Sequence, residues 1–219
     1  AMYATLASEL NEAAGDFSIR AVVITSEGDH FTSGNDIGDF MSNPPTEEDS
    51  DVARFLGSLL NFPKPLIAAV KGNAVGVGTT MLLHCDVVIA APNANFSMPF
   101  ASLGLVPEAG STMLFPALVG YQRAAKIFMT GESFSADEAK EMGLVAAISA
   151  SAETEAIELA EKIAAQPPQA MINTKALLKA GTHDAVEAVM KAEFAIFAMA
   201  LQSEEAAEAF MNFMTKRGK

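Results

Sequence analysis

Buried-strand patterns that alternate with helical patterns constrain the fold of this chain more than any other feature. The valine and isoleucine run in residues 19–26 ("IRAVVITS") is typical of a strand buried on both faces, and residues 66–72 ("LIAAVKG") and 87–92 ("VVIAAP") also read as strands. Helical patterns separate these runs. Strands that alternate with helices need crossover connections, so the sequence predicts an α/β fold with a mainly parallel sheet.

The chain from residue 111 onwards has a helical pattern. Ser135 and Glu138 have the spacing of a capping box, and residues 154–166 ("TEAIELAEKIAAQ") form an amphipathic segment that ends at a pair of prolines. The tail, residues 169–217, combines long helical periodicity with many alanines, methionines and phenylalanines. We predict that this tail forms a helix-packing or subunit surface.

Composition excludes several classes of partner. The net charge is −13 over 219 residues, and a field of that sign repels nucleic acid and anionic membranes. No apolar run approaches the roughly 20 residues of a membrane helix, and no signal peptide pattern opens the chain. Cys85 is the only cysteine, so a cytoplasmic location is the expectation. Half of the residues are hydrophobic, which indicates a large core or subunit interfaces.

Two glycine-containing loops follow predicted strands. Residues 31–37 ("FTSGNDI") follow the first strand, and residues 72–80 ("GNAVGVGTT") follow the second without matching GxGxxG or a P-loop. Each loop alone is also compatible with an ordinary turn. Ligands bind beyond the carboxyl ends of parallel strands, and two backbone amides that point into one cleft there would form an oxyanion hole.

Glu108 is the third candidate, within residues 102–112 ("SLGLVPEAGST"). It is either an acid at the start of a helix, favoured by the helix dipole, or the base of an active site. His30, His84 and His183 lack metal-ligand spacing, and we expect no metal site. His84 lies in an apolar helical pattern and is predicted to be a core or interface histidine.

Three ordered blocks of sequence resemble the enoyl-CoA hydratase/isomerase (crotonase) superfamily. They are residues 20–37, 64–111 and 125–145, and the likeness extends over about residues 1–165. The resemblance implies a spiral of ββα units over residues 1–165, followed by a C-terminal helical trimerisation region, residues 166–219. It also implies a homotrimer or hexamer that binds an acyl-CoA thioester, with coenzyme A as part of the substrate and no separate cofactor. The family's N-terminal strand pair is missing, so we expect the sequence to be truncated.

The resemblance also assigns roles to the two loops. The thioester oxygen would be held by the backbone N–H groups of Asn35 and Val77. Coenzyme A would lie along the first loop, at Ser33, Gly34, Asp36 and Ile37.

The sequence departs from the family's hydratases at the catalytic acids. Hydratases carry glutamates at the positions that hold Thr80 and Phe100 here, and hydration normally divides its proton transfers between two carboxylates. Glu108 instead lies in a setting similar to that of peroxisomal-type Δ3,Δ2-enoyl-CoA isomerases, which use one glutamate. The predicted walls of the acyl pocket are Phe100, Leu103, Leu105, Phe115 and Thr80.

The leading hypothesis is therefore an isomerase that moves a 3-enoyl-CoA double bond into conjugation, with Glu108 carrying the proton. The alternatives are a hydratase or another crotonase reaction on an acyl-CoA, and a non-catalytic acyl-CoA-binding protein.

Overall fold

A four-stranded parallel sheet forms the centre of the fold. The computed structural model describes residues 2–35, 38 and 49–217. The strands of this sheet are β1 (Val22–Ile24), β2 (Leu66–Val70), β4 (Val87–Ala90) and β7 (Ala147–Ile148). They lie in the order β1-β2-β4-β7, and every neighbouring pair is parallel, as predicted.

A smaller sheet lies beside the first and contains β3 (Asn73–Val75), β5 (Asn95–Ser97) and β6 (Phe134–Ser135). The chain passes from β2 directly into β3 and from β4 directly into β5, and β3 and β5 pair in parallel. After β1 the chain makes the same step, because Thr32 forms a parallel bridge with Ala74 of β3. Repeated passage from the first sheet to the second is the arrangement expected of the ββα spiral.

Helices connect and cover the sheets. The segment 2–15 is helical, and the predicted capping box at Ser135 is confirmed by reciprocal bonds with Glu138. Two 3₁₀ turns, Met81–His84 and Ala101–Leu103, lie between the strands and the α-helices. The described helices are α1 (Met2–Gly15), α2 (Asp51–Asn61), α3 (Val77–Thr80), α4 (Ser111–Val119), α5 (Tyr121–Thr130), α6 (Ala136–Glu141), α7 (Ala152–Ala164), α8 (Pro168–Lys179), α9 (His183–Leu201) and α10 (Glu204–Arg217).

Strand β2 carries the core on both of its faces. Leu66, Ala68 and Val70 belong to the main apolar cluster, whereas Ile67 and Ala69 pack with α7 on the other face. This confirms the prediction of a strand buried on both faces for β2. The same prediction is wrong for β1. The residues of β1 are half-buried because β1 is an edge strand of the described sheet.

The C-terminal helices share the main core with the sheets. Phe197 of α9 and Phe210 of α10 are buried in the same apolar cluster as β2. Helix α10 approaches Gly104 so closely that a β-carbon there would lie 2.9 Å from the Ala206 backbone nitrogen. The predicted segments 1–165 and 166–219 therefore share one core, and the trimerisation role of the second segment stays a prediction. Among the described residues, no helix has the length and apolar character of a membrane span.

Candidate active site

A cavity of about 240 Å³ lies between α2 and α9 and reaches Glu108. Asn35, from the loop after β1, also lines it. Most of the wall is apolar, and Glu187 and Lys191 form an ion pair with 2.7 Å between nitrogen and oxygen beside it. The apolar wall residues include Val52, Leu56 and Leu60 of α2 and Met190, Phe194 and Phe197 of α9.

The Glu108 carboxylate is buried and accepts a hydrogen bond from Thr80. Its residue is 8% exposed, and the Thr80 hydroxyl donates to Oε1 over 2.6 Å. Burial raises the pKa of Glu108 to about 7, the negative charge of Glu193 adds to the rise, and the hydrogen bond from Thr80 opposes it. At neutral pH both protonation states of Glu108 are therefore well populated, as a group that must accept and return a proton requires.

The loop that carries Glu108 adopts an unusual backbone conformation. Ala109 and Gly110 are consecutive left-handed residues, with φ of 65° and 69°. An L-residue such as Ala109 in this region costs roughly 1–2 kcal/mol. His84 holds the strained residue, because its Nε2 donates to the Ala109 carbonyl over 2.7 Å. Burial lowers the pKa of His84 to about 4, so the ring is neutral, and the core assignment of His84 is confirmed.

Glu108 is not the acid that caps the following helix. Helix α4 begins at Ser111, and the N–H groups of Gly110 and Thr112 donate to the carboxylate of Glu193, which comes from α9. The Glu108 side chain instead bonds Thr80 and lines the cavity. The helix-start interpretation of Glu108 is therefore wrong.

The two glycine-containing loops lie side by side, as the parallel sheet predicts. The Val75 N–H donates to the Thr32 carbonyl over 3.1 Å, and a β-carbon on Gly34 would lie 2.9 Å from the Val75 carbonyl oxygen. Gly34 also has a φ of 84°. Glycine is needed at this position for both reasons, and the described part of the loop, up to Asn35, is thereby held against β3.

The turn before Val77 requires glycine for its backbone angles. Gly76 has φ 57° and ψ −118°, a combination that L-residues rarely adopt. The Thr79 hydroxyl supports the turn by donating to the Ala74 carbonyl over 2.6 Å. Val77 is the first residue of α3, where N–H groups have no acceptor within the helix. Within the described residues, the Val77 and Asn35 N–H groups have no acceptor.

Comparison with known proteins identifies the family to which this arrangement belongs. The family model described as enoyl-CoA hydratase/isomerase matches residues 1–219. The chain belongs to this family. It is an enzyme of the crotonase superfamily, and the family implies an acyl-CoA thioester as its substrate.

Relatives within the family carry different activities in their names. The chain is 36% identical to the 2,3-dehydroadipyl-CoA hydratase of Escherichia coli (strain K12), over 99% of this chain and 86% of the relative. It is 33% identical to enoyl-CoA delta isomerase 2 of Rattus norvegicus, over 100% of this chain and 58% of the relative. The solved structure of Pseudomonas aeruginosa OdaA superposes with a TM-score of 0.94 at 45% identity, over 97% and 87% of the two chains. Membership of the family therefore does not distinguish hydratase from isomerase.

The predicted acyl-pocket walls do not line the cavity of this family member. Phe100, Leu105 and Phe115 are buried in the main core, and Leu103 packs against it half-buried. The 3₁₀ turn at Ala101–Leu103, covered by α10, places this segment away from the cavity. None of these four residues lines this cavity, whose walls come from α2 and α9, and their role in an acyl pocket stays a prediction. Thr80 does not line the cavity either, although it contacts Glu108.

The remaining predicted site residues are only partly described. Asn35 lies at the cavity with Glu108, whereas Val77 is buried and does not line it. Ser33 is exposed and Gly34 is half-buried, while Asp36 and Ile37 lie outside the described residues. Their contacts with coenzyme A stay a prediction.

Two residues near Glu108 were not predicted from the sequence. The hydroxyl of Tyr3, in α1, donates a hydrogen bond to the Asn35 side-chain oxygen. Burial, together with the charge of Glu108, raises the pKa of Tyr3. Glu193 is 5% exposed in α9. The sequence does contain a sign of Glu193, because it is an acid within the apolar stretch "AEFAIF" of a helix, and acids are rarely buried.

Proposed function

We propose that the protein is a Δ3,Δ2-enoyl-CoA isomerase in which Glu108 carries the proton. The observation that supports this reaction is the buried Glu108 carboxylate, with a pKa of about 7, at an apolar cavity. The positions at which hydratases carry glutamates hold Thr80 and Phe100, and Thr80 hydrogen-bonds Glu108. Glu187 also lines the cavity but is paired with Lys191. A double-bond shift needs one base, whereas hydration normally uses two.

The reaction uses Glu108 twice. The ionised carboxylate removes a proton from C2 of the 3-enoyl thioester, and the electrons move onto the thioester oxygen as an enolate. Protonated Glu108 then returns the proton at C4, the thioester carbonyl re-forms, and the double bond lies between C2 and C3. Thr80 bonds Oε1, and we assign the proton transfer to the other carboxylate oxygen, Oε2.

The enolate oxygen would be stabilised by the Asn35 and Val77 N–H groups. The lack of an acceptor for either group among the residues that the structure describes, and the contact between the two loops, support this role. A donor of this kind contributes about 3–4 kcal/mol to the stabilisation of the transition state. The acyl chain would occupy the cavity between α2 and α9, and coenzyme A would extend along Ser33 and Gly34, with Asp36 and Ile37 beyond them.

The broader expectations are proposals as well. We expect a homotrimer or hexamer, supported by exposed apolar side chains on the C-terminal helices, among them Leu177, Leu178 and Met199. Light scattering during size-exclusion chromatography would measure the assembly, and a monomer would contradict it. A cytoplasmic location and the lack of a separate cofactor stay predictions.

The test offers the purified protein a 3-enoyl-CoA and a 2-enoyl-CoA. The wild type should convert the 3-enoyl-CoA into the conjugated product, which is measured by the absorbance of the conjugated thioester. Glu108→Gln should lose at least about 10³-fold in kcat, because removal of the base leaves no group for the proton transfer. Glu161→Gln, an exposed carboxylate on α7, is the matched control.

The two alternatives predict other results. Hydration of the 2-enoyl-CoA without isomerisation of the 3-enoyl-CoA would favour a hydratase. Binding of both substrates without turnover would favour a non-catalytic acyl-CoA-binding protein.

A further inference from the structure

We infer that Glu193 is a positioning residue of this site, which fixes the loop that carries Glu108. The inference rests on the proposed role of Glu108 as the base and extends it to a residue of the C-terminal helix α9. Glu193 lies 85 positions after Glu108 in the sequence, in the segment to which the sequence analysis assigned only packing and subunit contacts.

Glu193 is bound at the start of α4 through both carboxylate oxygens. Its Oε2 accepts the Gly110 N–H over 2.6 Å. Its Oε1 accepts the Thr112 N–H over 2.9 Å and the Thr112 hydroxyl over 2.6 Å. Burial raises the pKa of Glu193, and the three donors oppose this rise because they stabilise the ionised carboxylate at the positive end of a helix. Glu193 thus supplies the anion that caps α4.

These bonds act on Glu108 through the two residues that follow it. Ala109 and Gly110 are both left-handed, and the Ser111 N–H closes this turn by donating to the Glu108 carbonyl over 3.1 Å. The His84 ring bonds the Ala109 carbonyl, and Glu193 bonds the Gly110 N–H, so the peptide between these residues is held at both ends. Loss of either bond would let the backbone relax and would turn the Glu108 side chain relative to the cavity.

Helix α9 also packs directly against this turn. A β-carbon on Gly110 would lie 2.8 Å from a Val186 methyl carbon and 3.3 Å from Met190 Cγ. The same helix provides Met190 and Phe194 to the cavity wall. One helix therefore sets both the position of the proposed base and the shape of the space in front of it.

The charge of Glu193 reaches Glu108 as well. The titratable groups near Glu108 are Tyr3 of α1, Glu193 of α9, the ion pair of Glu187 and Lys191 that lines the same cavity and, behind Ala109, the neutral His84. Glu193 is the carboxylate whose negative charge raises the pKa of Glu108. Removal of this charge should therefore lower the pKa of Glu108 and move the acidic limb of the pH–rate profile to lower pH.

The decisive variant is Glu193→Gln, compared with Glu161→Gln, which removes an exposed carboxylate of α7. For the full chain we would measure the melting temperature, kcat and KM with a 3-enoyl-CoA against pH, and the titration of the Glu108 carboxyl by ¹³C NMR. We expect kcat to fall about tenfold to hundredfold, which matches the loss of hydrogen bonds to a charged group, with KM changed by less than about threefold. The acidic midpoint should lie at lower pH than in Glu161→Gln, because a negative charge near Glu108 has been removed.

A purely structural role predicts a different result. If Glu193→Gln lowers the melting temperature but keeps the kcat and the acidic midpoint of Glu161→Gln, the inference is overturned. If Glu193→Gln does not fold, Thr112→Val carries the test, because it removes one bond to Glu193 and keeps the charge. It should lower kcat about twofold to fivefold without moving the midpoint, and an unchanged kcat would overturn the inference.

Failure of the proposed function is distinguishable from failure of this inference. A wild type that does not turn over a 3-enoyl-CoA refutes the isomerase. The ¹³C titration of Glu108, assigned by its loss in Glu108→Gln, still reports whether Glu193 controls that carboxyl. A Glu108 titration that is the same in Glu193→Gln as in the wild type overturns the inference without any measurement of turnover.

Discussion

At the scale of single residues, the raised pKa that suits Glu108 to catalysis also destabilises the folded state. Its pKa rises from 4.5 to about 7 on burial. A carboxyl group whose pKa is raised in the folded state binds its proton more tightly there than in the unfolded chain. The free energy of unfolding therefore decreases as the pH rises from about 4.5 to about 7, by about 3 kcal/mol in total.

Glu108→Gln should consequently stabilise the protein at alkaline pH while it abolishes turnover. Glutamine cannot ionise, and its side-chain oxygen still accepts the hydrogen bond from Thr80. Urea unfolding at pH 8 should give a variant more stable than the wild type by up to about 3 kcal/mol, and the difference should shrink at pH 5. Glu161→Gln should change little at either pH. A stability difference that is the same at both pH values would contradict the raised pKa.

At the scale of elements, the turn from β3 into α3 decides where the Val77 amide points. Helix α3 contains only residues Val77–Thr80, so it has little rigidity of its own. Gly76 supplies backbone angles that other residues adopt only with strain, and the Thr79 hydroxyl bonds the preceding strand. The orientation of the amide thus depends on the turn rather than on the helix.

Gly76→Ala should therefore impair catalysis more than binding. Alanine at these angles costs about 1–3 kcal/mol, and relief of the strain would rotate the Val77 N–H. We expect kcat to fall about tenfold to hundredfold, as for a misplaced catalytic group. Gly28→Ala is the control, because Gly28 lies in an exposed turn with open space around its α-carbon. Equal kcat values for the two variants would argue against a catalytic role of this turn.

At the scale of the whole molecule, the C-terminal helices complete both the core and the cavity. Phe197 and Phe210 belong to the cluster built on β2, and α9 forms one wall of the cavity. Unfolding of the C-terminal segment would therefore expose core surface and open the cavity together. The described chain should unfold as one cooperative unit.

Phe210→Ala tests whether the C-terminal helices and the sheets unfold together. Phe210 is 3% exposed, and a buried phenylalanine replaced by alanine costs about 3–5 kcal/mol. We expect a single unfolding transition at lower temperature, observed equally by circular dichroism and by proteolysis. Met211→Ala, 55% exposed on the same helix, should change the transition little. A separate early transition of the C-terminal helices, with the main transition unmoved, would contradict a shared core.

The sequence by itself determined the class of fold and the pairing of the two glycine-containing loops, and its resemblance to the isomerases of the family identified the candidate base. The first two follow from local patterns, because apolar runs indicate strands and parallel strands bring their carboxyl ends together. The residues around Glu108 alone were equally compatible with an acid at the start of a helix. The capping box at Ser135 is equally local, since its partner Glu138 lies three residues away.

Only the tertiary structure decided what surrounds the base. The cavity walls come from α2 and α9, whose residues Leu56 and Met190 are far apart in sequence, while Phe100 and Phe115, close to Glu108 in sequence, pack in the core instead. Glu193, and not Glu108, caps α4 for the same reason. Apolar periodicity indicates that a side chain is buried, but it does not specify the partner, because packing between distant segments selects which apolar faces meet.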